Sequence, residues 1–173
     1  MRIITAATLA LSVVSGFSRT PIVASGFSRT PGTVDTAADV TRRLIGNWKL
    51  VKYDTFDQSG AARPGPYDVG RVAYEASGEM TAHLLRSDRP KEAPATDAAR
   101  AAAYQSYIGY FGPFTVDVQK GTVTHHVIGS SFPHWIGTEQ VRYYAFSADG
   151  NQLTLSVKSG ERVTATLTWV RVK

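Results

Sequence analysis

The sequence predicts an all-β domain in which eight antiparallel strands close into a small barrel, with one helix between strands three and four. Three observations carry this. From Gly46 to Val172 apolar and polar residues alternate in strand-length runs. The links Ala76-Ser77-Gly78, Lys120-Gly121, Asp149-Gly150 and Lys158-Ser159-Gly160 are short, glycine-containing turns of the kind that join neighbouring antiparallel strands. A single segment, from Asp97 to about Tyr107, has the composition of a helix. A barrel of about eight strands has an interior that side chains fill or that holds one small ligand. Function must therefore come from what points inward.

The chain has 173 residues, enough for one domain with a real core. It contains no cysteine, which removes disulfides, thiol nucleophiles and thiolate metal sites together. Arg2 precedes an apolar stretch, Ile3 to Val14, too short to span a bilayer and of the length of a signal-peptide core. Residues 1–31 read as a signal peptide or disordered leader, which places the mature protein outside the cell or in the periplasm. The leader carries a tandem copy, Ser15 to Pro21 recurring as Ser25 to Pro31. A ten-residue offset is too short for a folding repeat.

Three of the nineteen basic residues, Arg2, Arg19 and Arg29, lie before Pro31, whereas all fourteen acids follow it. The formal charge of +5 thus falls to +2 without the leader, with sixteen basic residues against fourteen acidic. No basic run interleaved with aromatics remains, so no nucleic-acid surface is indicated. Residues 32–43 are small and polar and read as a linker, with Thr41 to Ile45 forming a short helical turn. The barrel domain runs over 44–173.

Strand one spans Trp48 to Phe56, and the Gly/Pro-rich stretch from Ala61 to Pro66 reads as a breaker that ends the ladder. The next strands are Arg71 to Glu75 and Glu79 to Leu85. A three-residue turn with Gly78 in the left-handed position pairs Tyr74 with Met80 and Val72 with Ala82, which puts these residues on one face. Thr96 is the helix N-cap, with Asp97 in the first turn. Gly109 and Gly112-Pro113 stop the helix, and Tyr104, Tyr107, Tyr110 and Phe111 seat it over one barrel opening.

A two-residue Lys120-Gly121 turn pairs Val118 with Val123, Val116 with His125 and Phe114 with Val127. His125 then faces inward with the apolar row, and His126 points the other way. The Asp149-Gly150 turn pairs Phe146 with Leu153, Tyr144 with Leu155 and Arg142 with Val157, drawing Arg142 inward. The last turn puts Val163, Ala165, Leu167 and Trp169 on the interior face.

The segments Leu44 to Val51, Tyr74 to Met80, Val123 to Val127 and Phe132 to Tyr143 resemble the lipocalin-like domain proteins of bacteria and fungi, over Leu44 to Val172. The resemblance implies a calycin-type barrel in which the tryptophan of Gly46-Asn47-Trp48 packs at the closed end against an arginine near the C-terminus. Trp48 and Arg171 match those roles, with Trp169 beside them. It implies a container without naming its contents, and this chain lacks the disulfides of the better-known secreted lipocalins.

An inward arginine is costly unless it is paired, solvated or met by a ligand. Arg142 is therefore either part of an internal network with Gln140, Tyr144, Tyr74 or His125, or an anchor for a bound anion. Asp54 or Glu75 could neutralise it. In the anchor reading, Leu50, Met80, Ala82, Phe114, Val116 and Leu155 form an apolar wall, and Arg142 and His125 a polar end. The arginine would suit a carboxylate, phenolate or enolate.

His125 and His126 diverge, and His83 and His134 lie elsewhere, so no metal site is expected. No serine-centred elbow or phosphate-binding glycine loop occurs, and no cofactor is expected. The reading is a barrel, monomeric or a weak homodimer without a membrane span, that binds a small hydrophobic or amphipathic, anionic molecule. The alternative is an isomerase or cyclase in which His125 moves a proton and Arg142 stabilises an oxyanion.

Overall fold

The computed structural model describes residues 35–173, so the leader, its tandem copy and the export signal lie outside the described residues. Helix α1 (Ala37–Leu44) begins within the expected linker of residues 32–43 and is longer than the short turn expected over Thr41 to Ile45. Thr36 and Asp39 make a reciprocal capping box, and Arg42 and Arg43 sit in the last turn, where the helix dipole favours positive charge. Val40 and Leu44, four residues apart on one helix face, are buried in the core.

Ten strands follow: β1 (Gly46–Phe56), β2 (Ala62–Pro64), β3 (Val69–Tyr74), β4 (Glu79–Leu85), β5 (Tyr107–Asp117), β6 (Thr122–His126), β7 (Gly129–Ser130), β8 (Glu139–Phe146), β9 (Gln152–Ser159) and β10 (Arg162–Arg171). Eight of them close in the order β1-β3-β4-β5-β6-β8-β9-β10 and back to β1. β2 lies outside this ring on β1, and β7 pairs with β5. Helix α2 (Asp97–Gln105) connects β4 to β5, the third and fourth strands of the ring, with Thr96 as N-cap.

The registers test the turn chemistry. Tyr74 opposes Met80 and Val72 opposes Ala82 as the glycine turn predicts, and Tyr144 opposes Leu155 and Phe146 opposes Leu153. The Lys120-Gly121 turn differs: Phe114 opposes His125 and Val116 opposes Val123, with Asp117 and Thr122 closing a four-residue loop. The Asp117 carboxylate accepts from the Lys120 N–H at 3.0 Å, which favours the longer turn. The slip is two residues, so every side chain keeps its face. At the last turn Ser159 opposes Arg162 across Gly160-Glu161, and a bulge between Val163 and Ala165 restores the inward row at Ala165, Leu167 and Trp169.

Two expected breakers lie inside the sheet. Ala62–Pro64 pairs with the end of β1, Asp54 opposite Pro64 and Phe56 opposite Ala62, as an outermost strand where a proline is tolerated. Gly109 and Gly112-Pro113 belong to β5, and the helix ends earlier, at Gln105. A Cβ on Gly112, which has φ +155°, would stand 2.0 Å from the His126 carbonyl oxygen, so the close passage of β5 past His126 admits only glycine. The aromatics that were to seat α2 separate: Tyr110 enters the core, Phe111 is 50% exposed, and α2 buries none of its residues.

The closed end is built around Trp48, fully buried, whose indole N–H donates to the Leu44 carbonyl at 2.8 Å. The Arg171 guanidinium lies 4.1 Å from the Trp48 ring and donates to the carbonyls of Ile45 at 2.8 Å and Arg43 at 2.6 Å. Gly46, at φ +129°, leaves room for it, since a Cβ there would stand 2.8 Å from Nη1. Replacing Arg171 with Met strands two carbonyls and removes the cation from the indole face. The expected cost is about 2–3 kcal/mol in urea unfolding, and an unchanged midpoint would contradict the role given to this end.

Candidate functional site

Beyond Trp48 the barrel interior holds a cavity of about 80 Å³. Its wall is mostly apolar, with Val72, Leu84, Leu155 and Leu167 among the lining residues, and the lining side chains that carry polar atoms are Tyr53, Tyr110, His125, Trp135, Arg142 and Trp169. Ordinary ligand pockets are larger, about 300–1,000 Å³. Among the half-buried residues of the wall, which also include Ile108 and Val157, the long or aromatic side chains of Tyr53, Trp135 and Arg142 are the parts that can yield.

His125, at the end of β6, is 1% exposed. Its Nε2 lies 2.8 Å from the Tyr74 hydroxyl and its Nδ1 lies 3.0 Å from the Tyr110 hydroxyl. Both ring nitrogens are therefore occupied. Burial, reinforced by repulsion from Arg142 and then His126, holds the His125 pKa well below its ordinary 6.5, and the ring is neutral. Burial also raises the phenol pKa values of Tyr53, Tyr74 and Tyr110, and the Arg142 guanidinium opposes each rise.

Arg142 enters from β8, where it stands opposite Val123. It donates to the Gln140 side chain at 3.3 Å and to the Val141 carbonyl at 2.9 Å. Among the described residues no carboxylate lies within ion-pairing distance of it. Asp54, one expected partner, pairs with Lys52 at 2.7 Å. The wall thus carries one permanent positive charge among neutral phenols and a neutral imidazole.

Of the site residues expected from the sequence, His125, Arg142 and Leu155 line the cavity, together with Ala82. Tyr74 stands behind His125 with its ring 5.0 Å from Phe114, edge to face, and Met80 is fully buried in the core. Val116 packs against the core and Gln140 steadies Arg142. Tyr144 faces inward but packs on Phe146 at 5.9 Å, which in turn contacts Trp48 and Arg43, so it belongs to the closed end. The expected trio of His125, Arg142 and Tyr144 is not brought together.

Trp169, expected beside Trp48 and Arg171, opposes Leu50 and lines the cavity instead. It is 2% exposed, and its indole Nε1 is buried without a hydrogen-bond partner. Tyr110, Ile108, Tyr53 and Trp135 join the wall without having been singled out as lining residues. The alternation of Ile108, Tyr110, Gly112, Phe114 and Val116 along β5 was the available signal for the first two. Trp135, in the 3₁₀ turn Pro133–Trp135, reaches the wall through long-range packing, its ring 5.6 Å from Tyr110.

A family model for the lipocalin-like domain matches residues 45–172. A carrier protein for 4'-hydroxy-3'-methoxypropiophenone from Aspergillus oryzae is 34% identical over 104 residues, covering 52% of this chain and 94% of the relative. Among solved structures, a redesigned β-barrel aligns with a TM-score of 0.40 and 11% identity, over 77% of this chain and 95% of that one.

The neutral, buried His125 sets a pH dependence. Below about pH 6.5 the unfolded chain binds a proton that folded His125 refuses, so stability is full above that pH and declines as pH falls below it. Asp149, drawn down to about 2 mainly by the Ser147 and Asn151 side chains, loses its contribution only in stronger acid. Urea midpoints taken between about pH 7 and pH 5 are expected to fall in the wild type and to fall less in His125→Gln. Equal slopes would contradict the buried neutral ring.

Proposed function

The chain belongs to the lipocalin-like domain family, and we propose that its barrel is a non-catalytic carrier for a small amphipathic molecule whose acceptor or anionic end meets Arg142. The observation that carries this reading is the half-buried guanidinium of Arg142, which faces an apolar cavity and has no carboxylate partner among the described residues. Apolar walls with a few placed polar groups suit small-molecule binding. The relative named as carrier of an aryl ketone supports it. At about 80 Å³ the cavity accepts such a molecule only as Tyr53, Trp135 and Arg142 move aside, a change of side-chain rotamers that binding often entails.

The isomerase or cyclase reading asks more of the same residues. With Nε2 and Nδ1 both engaged by tyrosines, a proton from His125 would have to pass through Tyr110 to reach a substrate. Carrying requires no such step. The apolar N-terminal stretch adds the proposal that the carrier is exported, as a monomer or weak homodimer. A secreted product retaining the first residues would contradict removal of that leader.

Native mass spectrometry of protein produced in its natural host is expected to show a co-purifying small molecule. In Arg142→Met, occupancy should drop by about tenfold, the worth of one charge-assisted hydrogen bond. Identical unliganded spectra for the two proteins would overturn the carrier reading.

A further inference from the structure

His125 is the most deeply buried titratable side chain of the cavity wall, and carrying as such gives it no task. A neutral imidazole has one donor nitrogen and one acceptor nitrogen. Two arrangements are open. With the proton on Nε2, the ring donates to Tyr74, and the Tyr74 hydroxyl proton is left without an acceptor, because His125 is its single hydrogen-bond partner in the core.

With the proton on Nδ1, Tyr74 donates to Nε2, the ring donates to the Tyr110 oxygen, and every buried donor of the first two residues is used. The Tyr110 hydroxyl proton is then free to point into the cavity that Tyr110 lines.

The second observation is independent. The indole N–H of Trp169, also on the wall, is buried with nothing to donate to. Arg142, Tyr110 and Trp169 thus all offer protons, the Trp135 indole can only donate, and with both His125 nitrogens engaged by tyrosines the Tyr53 hydroxyl is the other lining group able to accept one as well as give one. Aromatic rings of Tyr53, Tyr110, Trp135 and Trp169 border the space.

We infer that the cavity is a donor-rich site selecting a planar aromatic ligand through phenolate, carboxylate or ketone oxygens, with His125 a positioning residue that locks Tyr110 as a donor and Trp169 a second donor to the same ligand. This rests on the carrier reading and specifies its ligand class. A ligand that offers a proton at the same point sets donor against donor and is rejected.

Ring-nitrogen NMR shifts of the ligand-free wild type should report His125 protonated on Nδ1, and protonation on Nε2 would overturn the relay without any ligand. Para-nitrophenol and para-nitroaniline then serve as matched probes at one near-neutral pH. The phenol is expected to bind as its phenolate, read from its absorption band, and about tenfold more tightly than the amine. Tyr74→Phe, whose ring lies outside the cavity wall, should lower this preference about threefold while the thermal unfolding profile stays cooperative.

Trp169→Phe, which keeps an aromatic ring and removes the N–H, should weaken both probes through the nitro group. Equal binding of the two probes to the wild type overturns the inference and leaves carrying intact. Binding of neither overturns both. A preference unchanged in Tyr74→Phe overturns the role of His125.

Discussion

The seam between β1 and β10 is the constraint on which the barrel depends, because it joins residues as far apart as Trp48 and Arg171 while every other pairing within the ring links nearer stretches of chain. Loop-closure entropy makes such a contact the costly one to form. Its reward is concentrated at one end. Arg171 satisfies the carbonyls where α1 turns into β1, covers the Trp48 indole, and draws α1 over the barrel with Val40 and Leu44 beneath it. Once this end is fixed, the inward faces of β1 and β10 are fixed with it.

The interior is graded along the barrel. Near α1 it is solid, filled by Trp48, Leu44, Met80 and Leu153, all essentially inaccessible to water. Next comes a polar layer in which His125 bridges Tyr74 and Tyr110, and then the cavity with Arg142 at its half-buried edge. The positive charge therefore sits where solvent can reach it, while the groups deeper in the core stay neutral. Burial raises the phenols and lowers the imidazole, so this layer needs no counter-ion. A contiguous set of rings leads outward from it: Tyr110 to Trp135, Trp135 to Phe132, and Phe132 to Tyr104 on α2. These rings connect α2, which buries none of its own residues, to the cavity wall.

Much of this was legible in the sequence where a turn was closed by backbone geometry alone. Ala76-Ser77-Gly78 and Asp149-Gly150 assigned Tyr74, Ala82, Tyr144 and Leu155 to their correct partners. The reading failed where a side chain changed the turn, as Asp117 did by capping Lys120, and even there the error of two residues left His125 facing inward. Thr36 and Asp39 spelled out a helix start within what read as a linker. The site was less legible because strand parity says which side a residue faces and nothing about its depth. Tyr144 and Arg142 share a face on β8, yet one packs at the closed end and the other reaches the cavity. Glycines also misled, since Gly109 and Gly112 serve close passage in β5 and end no helix.

The short strand Ala62–Pro64 bears on how the molecule behaves in a crowd. A closed ring has no free rim of backbone amides, so the exposed flank of this appendage on β1 is one of the few places where a foreign strand could add. It is three residues long, carries the charge of Arg63, and ends in Pro64, which has no N–H to offer. This flank blunts the edge-to-edge stacking that a free strand edge would otherwise promote.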